Sequence, residues 1–379
     1  MNYLLRFIRS RYPCFWVLIA FLIARQAAAG PSLSLEVPIP PVPLNTAGGQ
    51  TLIYELHLTN MGSEARLLGE LDVLDADNQR ALLHLNEAAL RGRMALLNNT
   101  VPSRPVVPPG SAAIVYLEID LPRNEHPRRL EHRIELVASD GTLGGRAVAV
   151  TALGSRAPVV LGPPLEGGPW VAVHSPEWPR GHRRVVYVFA RGPRIPGRYA
   201  IDWVAVDAQG RTSHGSEDRP ADALGYGARV LAGIDGRVAA TRDGMAEAES
   251  IRNNPRHPPD QGAGNYVVLS VGDGRYVFYE HLRPGSILVK PGEPVSRGQV
   301  IGALGFSGDT TGPHLHLHVA DSVDTLDGEG LPFVISRYEE LGRYQEIAQL
   351  GHAPWQVAQP GVRRHSQEWP TYNAVVRFK

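Results

Sequence analysis

The sequence predicts an all-β protein: a sandwich of immunoglobulin type followed by a second, antiparallel β domain. Three observations lead there. Short alternating runs recur along most of the chain, turn formers are abundant at 40 Gly and 32 Pro, and apolar content still reaches 43%. Alternation sends every second side chain to one face, and turn residues between such runs join strands tightly. At 379 residues the chain exceeds a single core, so two domains are expected.

Residues 1–29 read as a signal peptide. Arg6, Arg9 and Arg11 precede an apolar run over 13–24, and Ala27-Ala28-Ala29 offers small residues for cleavage before Gly30. The run is shorter than the roughly 20 residues that cross a membrane, and Arg25 interrupts it. A secreted or periplasmic protein with no stable membrane span after cleavage is the expectation. Cys14, the one cysteine, leaves with this segment, so a metal site in the mature chain must use His and carboxylate. Removing residues 1–29 also takes away four Arg and no acid, leaving 34 basic against 38 acidic side chains. That balance excludes a general binder of nucleic acid or anionic membrane.

Residues 30–154 carry runs at 51–58, 113–119 and 132–137 whose length and spacing suit a sandwich without its usual disulfide. The stretch 82–97 has helical periodicity and reads as one short insertion. No catalytic constellation is present in this half, so a spacer or partner-binding module is expected. Residues 155–180, with Pro158, Pro163, Pro164, Pro169, Pro176 and Pro179, read as a linker. Alternating runs resume over 181–336, at 184–189, 199–206, 229–234, 265–271, 276–280 and 299–304. The tail 337–379 contains a helix-like piece at 338–350 and a Pro- and Trp-containing extension.

The most informative segment is Thr311-Gly312-Pro313-His314-Leu315-His316-Leu317-His318. A strand puts all three imidazoles on one face, and neutral imidazole is a common zinc ligand. The preceding Gly305-Phe306-Ser307-Gly308-Asp309-Thr310 turns the chain before the strand delivers them. Asn265, Ser307, Thr310 and Thr311 either hydrogen-bond a substrate backbone or close turns. Trp170, Trp178 and Trp203 either line a groove or fill the core.

Several ordered segments carry a resemblance: Tyr226-Gly227-Ala228-Arg229-Val230, Gly264-Asn265-Tyr266-Val267-Val268-Leu269, Tyr279-Glu280-His281-Leu282 and the His-rich row. Over roughly residues 226–319 the chain resembles the lysostaphin/LytM-type zinc endopeptidases, which cut peptidoglycan cross-bridges. The resemblance implies zinc as cofactor, stem or cross-bridge peptides as substrate, His316 as a ligand, and His281 and His314 as catalytic residues. Zinc on three protein side chains keeps a fourth position open and polarises a carbonyl, while a nearby imidazole takes a proton or meets the oxyanion.

The family also supplies a His and an Asp spaced His-x-x-x-Asp, and here three assignments compete. The first takes Asp202 and His182, because the position four before Asp202 is Arg198, which cannot ligate a metal. Asp202 shares a strand face with Ala200, Val204 and Val206, so its carboxylate needs a compensating partner, either a metal or a salt bridge to Arg184 or Arg198. A hairpin turning near 192–197 would bring His182 opposite it. The second takes His214 and Asp218, which match the spacing within a polar loop. In the third no first His exists, with His318 recruited or metal bound weakly. The function expected from the first is zinc-dependent hydrolysis of a peptide bond. The alternative is a degenerate envelope protein that binds peptidoglycan or regulates an amidase, with another envelope protein as partner.

Overall fold

Period-two burial builds the first half of the computed structural model, which describes residues 32–379 except 98–99, 139, 176–177, 179–180 and 191. In the strand Arg129–Val137, Leu130, His132, Ile134 and Leu136 are buried and the residues between them are not. One five-stranded sheet runs Leu33–Glu36, Gly49–Asn60, Ala112–Leu121 and Met94–Leu96, with Leu44–Thr46 beside Gly49–Asn60. The other runs Leu143–Ala152, Arg129–Val137, Arg66–Asp75 and Ala81–Leu85, with Val106–Val107 on Arg66–Asp75. Leu52, Leu56, Val115 and Leu117 of the first meet Leu68, Leu71 and Ile134 of the second in one core. The all-β reading holds: among the described residues Glu87–Gly92 is the one α-helix. Residues 1–29, expected to be a signal peptide, and Cys14 with them lie outside the described residues, and no described helix is long and apolar enough to cross a membrane.

His132 gives this core a pH dependence. Its ring is fully buried, 2.9 Å from the Tyr54 hydroxyl, and burial pushes its pKa down to about 4 from 6.5. The unfolded chain therefore takes up a proton that the fold refuses. Stability is complete above pH 6.5 and falls as pH drops towards 4, by at most about 3 kcal/mol at 1.36 kcal/mol per unit. Urea unfolding at pH 7 and pH 4 measures this loss, and His132→Gln is expected to flatten it.

The second half is organised by an eleven-stranded antiparallel sheet. Its order is Pro294–Val295, Gly236–Arg242, Asn265–Ser270, Tyr276–Leu282, Leu315–Ala320, Ile201–Ala205, Gly167–Val173, Ala374–Phe378, Tyr338–Arg343 and Gln356–Val357, with Arg363–His365 also on Tyr338–Arg343. Ile201, Trp203, Leu315, Leu317, Val277 and Tyr279 fill the core under one face. Trp170 and Trp203 belong to this core rather than to a groove.

Three sequence expectations need correction. Residues 155–180 are not a plain linker: Val159–Leu161 pairs in parallel with Phe333–Ile335, and Gly167–Val173 is an inner strand of the large sheet. The buried run Trp170-Val171-Ala172 outweighs the prolines and glycines around it. The helix expected at 338–350 is instead the strand Tyr338–Arg343 and a 3-10 turn at Ile347–Gln349, because Tyr338–Arg343 pairs with Ala374–Phe378. The tail thus completes the sheet. Helix at 82–97 is reduced to Glu87–Gly92, since Leu83 and Leu85 pair with Val73 and Leu71.

Candidate metal centre

Three neighbouring strands deliver the site by register. Asp202 of Ile201–Ala205 lies opposite His316 of Leu315–Ala320, and His316 lies opposite Glu280 of Tyr276–Leu282. Side chains at directly opposed positions share a face, so a carboxylate, an imidazole and a second carboxylate form a row across the sheet. Leu315, Leu317 and Val319 point the other way, into the core. Asp202 therefore does not sit among apolar side chains as the sequence suggests. Its Oδ2 accepts from His182 Nε2 at 2.8 Å, its Oδ1 accepts from His316 Nδ1 at 2.8 Å, and His314 Nε2 stands 3.3 Å from Oδ1.

His182 reaches Asp202 by a route the sequence did not indicate. The predicted ladder between them is absent, because Tyr187–Phe189 pairs with Gly192–Arg194 and Ile201–Ala205 pairs elsewhere. His182 instead opens the 3-10 turn His182–Arg184, which packs on the turn Pro196–Tyr199. Gly197 permits this contact, since a Cβ there would lie 2.8 Å from the Cβ of His182. The His182 side chain keeps 40% exposure on the cleft.

His281 joins the cluster through a backbone departure. Continued alternation from Glu280 would send His281 towards the core, but its φ is +62°, and Leu282 takes the core position instead. A non-glycine residue in this region costs on the order of 1–3 kcal/mol, which the surroundings must hold in place. Here the His281 N–H donates to the Ala263 carbonyl and its Nδ1–H to the Ser307 carbonyl at 2.8 Å. Gly264 makes room for that carbonyl, because a Cβ there would lie 2.3 Å from it. His314 is fixed likewise, Nδ1 donating to the Gly312 carbonyl at 2.8 Å with the Thr310 hydroxyl 3.0 Å away. Both rings thus turn Nε2 to the site, with centroids 4.7 Å apart.

Electrostatics divide the histidines. Burial holds the pKa of His281 and His318 well below the usual value and brings that of His316 down to about 4, so these rings are neutral near pH 7. Burial also opposes protonation of His182 and His314, but the adjacent Asp202 outweighs it and raises both. Burial would raise Asp202; His182 and His314 overcome it and hold the carboxyl well below its usual range. For Glu280 burial outweighs the pull of His182 and His314, and its pKa is pushed up to about 8.

The donors suit a zinc ion. Ligand atoms of His182, Asp202 and His316 lie within 4.8 Å of one another, as do those of His281, His314 and His316 and those of Glu280, His316 and His318. Zinc bonds of about 2.0–2.2 Å place ligand atoms roughly 3–4 Å apart, and a set of imidazoles and carboxylate matches its preferences. His314 Nε2 is also buried without a hydrogen-bond partner. Sequence reasoning missed Glu280 and named His318 only as a ligand recruited when no first His exists, although both follow once His316 is fixed on the row. His318 Nδ1 holds His316 Nε2 at 3.1 Å while Phe278 stacks on the His318 ring at 4.3 Å. Such contacts orient a ligating imidazole. His318→Leu is accordingly expected to weaken zinc binding about 10–100-fold in a chelator competition.

Other candidates stand apart. His214 is exposed, and Asp218 is engaged by Ser250 and Arg252; neither belongs to a metal-competent group among the described residues. Arg198 does not pair with Asp202 but with Glu55 at 2.7 Å and Glu329 at 2.9 Å, while Arg184 lies over the Tyr116 ring. Ser307 and Asn265 close turns: the Ser307 hydroxyl accepts from the Asn265 N–H and donates to the Leu282 carbonyl.

Residues 223–327 match the family model described as Peptidase family M23. Peptidoglycan DD-endopeptidase ShyA of Vibrio cholerae serotype O1 is 43% identical over 94 residues, 25% of this chain and 18% of that protein. Peptidoglycan DD-endopeptidase ShyC of the same organism is 38% identical over 90 residues, 24% and 18% of the two chains. The match thus spans less than a fifth of the length of these curated relatives. The catalytic domain of lysostaphin from Staphylococcus simulans is 20% identical over 44% of this chain and 88% of that chain, at a TM-score of 0.24. Neither His182 nor Asp202 falls inside the family match, whereas His281, His314 and His316 do. Residues 223–327 of this chain are a Peptidase family M23 domain.

Proposed function

We propose that the protein is an exported zinc-dependent endopeptidase that hydrolyses peptide bonds in peptidoglycan cross-links. His182, Asp202 and His316 hold the ion, and His281 and His314 are the catalytic pair. The observation that carries this reading is one carboxylate, Asp202, enclosed by the imidazoles of His182, His314 and His316, with a fourth, His281, beside His314. The ShyA and ShyC similarity supports peptidoglycan as the substrate class.

A bound zinc supplies Lewis-acid polarisation of the scissile carbonyl. The chain's own groups do the rest. Hydrolysis adds water across the C–N bond, so one group accepts the water proton, one stabilises the developing oxyanion and the departing amine gains a proton. His281 and His314 commit Nδ1–H to backbone carbonyls, and that leaves each Nε2 directed to the reacting atoms. His182, Glu280, His281 and His316 line one cleft together with Tyr187 and His257.

The test is incubation of the zinc-loaded mature protein with purified peptidoglycan, followed by mass spectrometry of the released fragments. New peptide termini at cross-links are expected, and they should vanish with a chelator. Intact cross-links in the presence of one zinc per chain would contradict the reading and leave an envelope protein that binds peptidoglycan, or regulates an amidase, without cutting.

A further inference from the structure

We infer that Glu55 of the N-terminal sandwich is a positioning residue for the metal centre, acting through Arg183 and Arg198 on His182. The inference rests on the proposed ligand role of His182. The sandwich is then part of the site rather than a spacer.

His182 rests on a turn rather than on a sheet: within its own domain its side chain meets Asp202 and its turn packs on Pro196–Tyr199. It sits on a three-residue turn, and the two residues after it are arginines that point into the sandwich. Arg183 donates through Nε to Glu55 at 3.2 Å and through Nη2 to the carbonyls of Tyr54 at 2.8 Å and Leu117 at 2.5 Å. Arg184 donates to the Gly92 carbonyl at 3.1 Å and lies 4.7 Å from the Tyr116 ring centroid. The second turn, Pro196–Tyr199, supports His182 through Gly197 and is fastened to the same sandwich. Arg198 donates to the other oxygen of Glu55 at 2.7 Å, and the Tyr199 hydroxyl donates to the Ile53 carbonyl at 3.0 Å.

Glu55 is the point where these restraints converge. One buried carboxylate gives one oxygen to the turn that carries His182 and the other to the turn beneath it. Two arginines around one carboxylate fix both backbones to a single point, and Tyr54 and Leu117 anchor that point in adjacent sandwich strands. Asp202 and His316, by contrast, ride on strands paired on both sides and need no such help. Among the proposed ligands, His182 alone depends on the domain contact for its placement.

The experiment is a double-mutant cycle on zinc affinity, read by chelator competition, with wild type, Glu55→Gln, His182→Ala and the double variant. Melting of the zinc-free proteins reports the fold separately. Glu55→Gln is expected to weaken zinc binding about 10-fold or more, to have no further effect once His182 is gone, and to recover with Glu55→Asp. Arg183→Gln should reproduce the loss if Glu55→Gln does not fold. Unchanged affinity in Glu55→Gln or Arg183→Gln, or an equal loss with and without His182, would overturn the inference while leaving the ligand reading intact. Unchanged affinity in His182→Ala would overturn both.

Discussion

Asp202→Ala is expected to leave the protein without stoichiometric zinc and to lower peptide hydrolysis about 1,000-fold. Asp202 gives one carboxylate oxygen to His182 and the other to His316, so it connects two proposed ligands as well as being a third. Without it, three imidazoles face one another across a charge-free gap, and the pull that raises His182 and His314 is gone. The rate figure follows from several kcal/mol of Lewis-acid stabilisation at 1.36 kcal/mol per tenfold. Elemental mass spectrometry gives the zinc content and muropeptide release gives the rate. Retention of one zinc per chain by the variant would move the ion to the His281, His314 and His316 group.

His281→Ala and His314→Ala should behave differently: zinc stays near one per chain while hydrolysis falls about 10²–10⁴-fold in each. Their Nδ1 atoms are tied to the Ser307 and Gly312 carbonyls, so backbone contacts hold each ring in place for the proposed catalytic role. Because the two rings handle protons of one reaction, the double variant should lose little more than the worse single one. Zinc loss in His281→Ala would contradict this division of roles. A chain whose sandwich stays docked is needed for a clean comparison, and neither residue touches the Glu55 contact.

The parts that local pattern governs were legible in the sequence. The alternation over 315–320 set His316 and His318 opposite Leu315, Leu317 and Val319, and the strand at 201–205 set Asp202 opposite Ile201 and Trp203, as the structure has them. What failed depended on distant pairing. Nothing local to 338–350 announces a strand, because its partner Ala374–Phe378 lies about 30 residues on. Gly167–Val173 looked like linker because its glycines and cis-compatible proline masked an apolar run that two neighbouring strands stabilise. The site divides the same way. His281 was recognisable by its neighbours, but its positive φ was not, since alternation alone turns it into the core. His182 was reached for the right partner by the wrong geometry: the sequence suggested a ladder, and the structure uses two 3-10 turns pinned to another domain. Arg198, four residues before Asp202, is no part of the site: its guanidinium pairs with Glu55 and Glu329.

The central claim is that the ion sits on His182, Asp202 and His316. Anomalous X-ray diffraction at the zinc edge, on crystals of the zinc-loaded protein, tests it most directly. The account predicts one peak about 2.0–2.2 Å from His182 Nε2, an Asp202 carboxylate oxygen and His316 Nδ1. A peak among His281, His314 and His316, or on Glu280, His316 and His318, would contradict it.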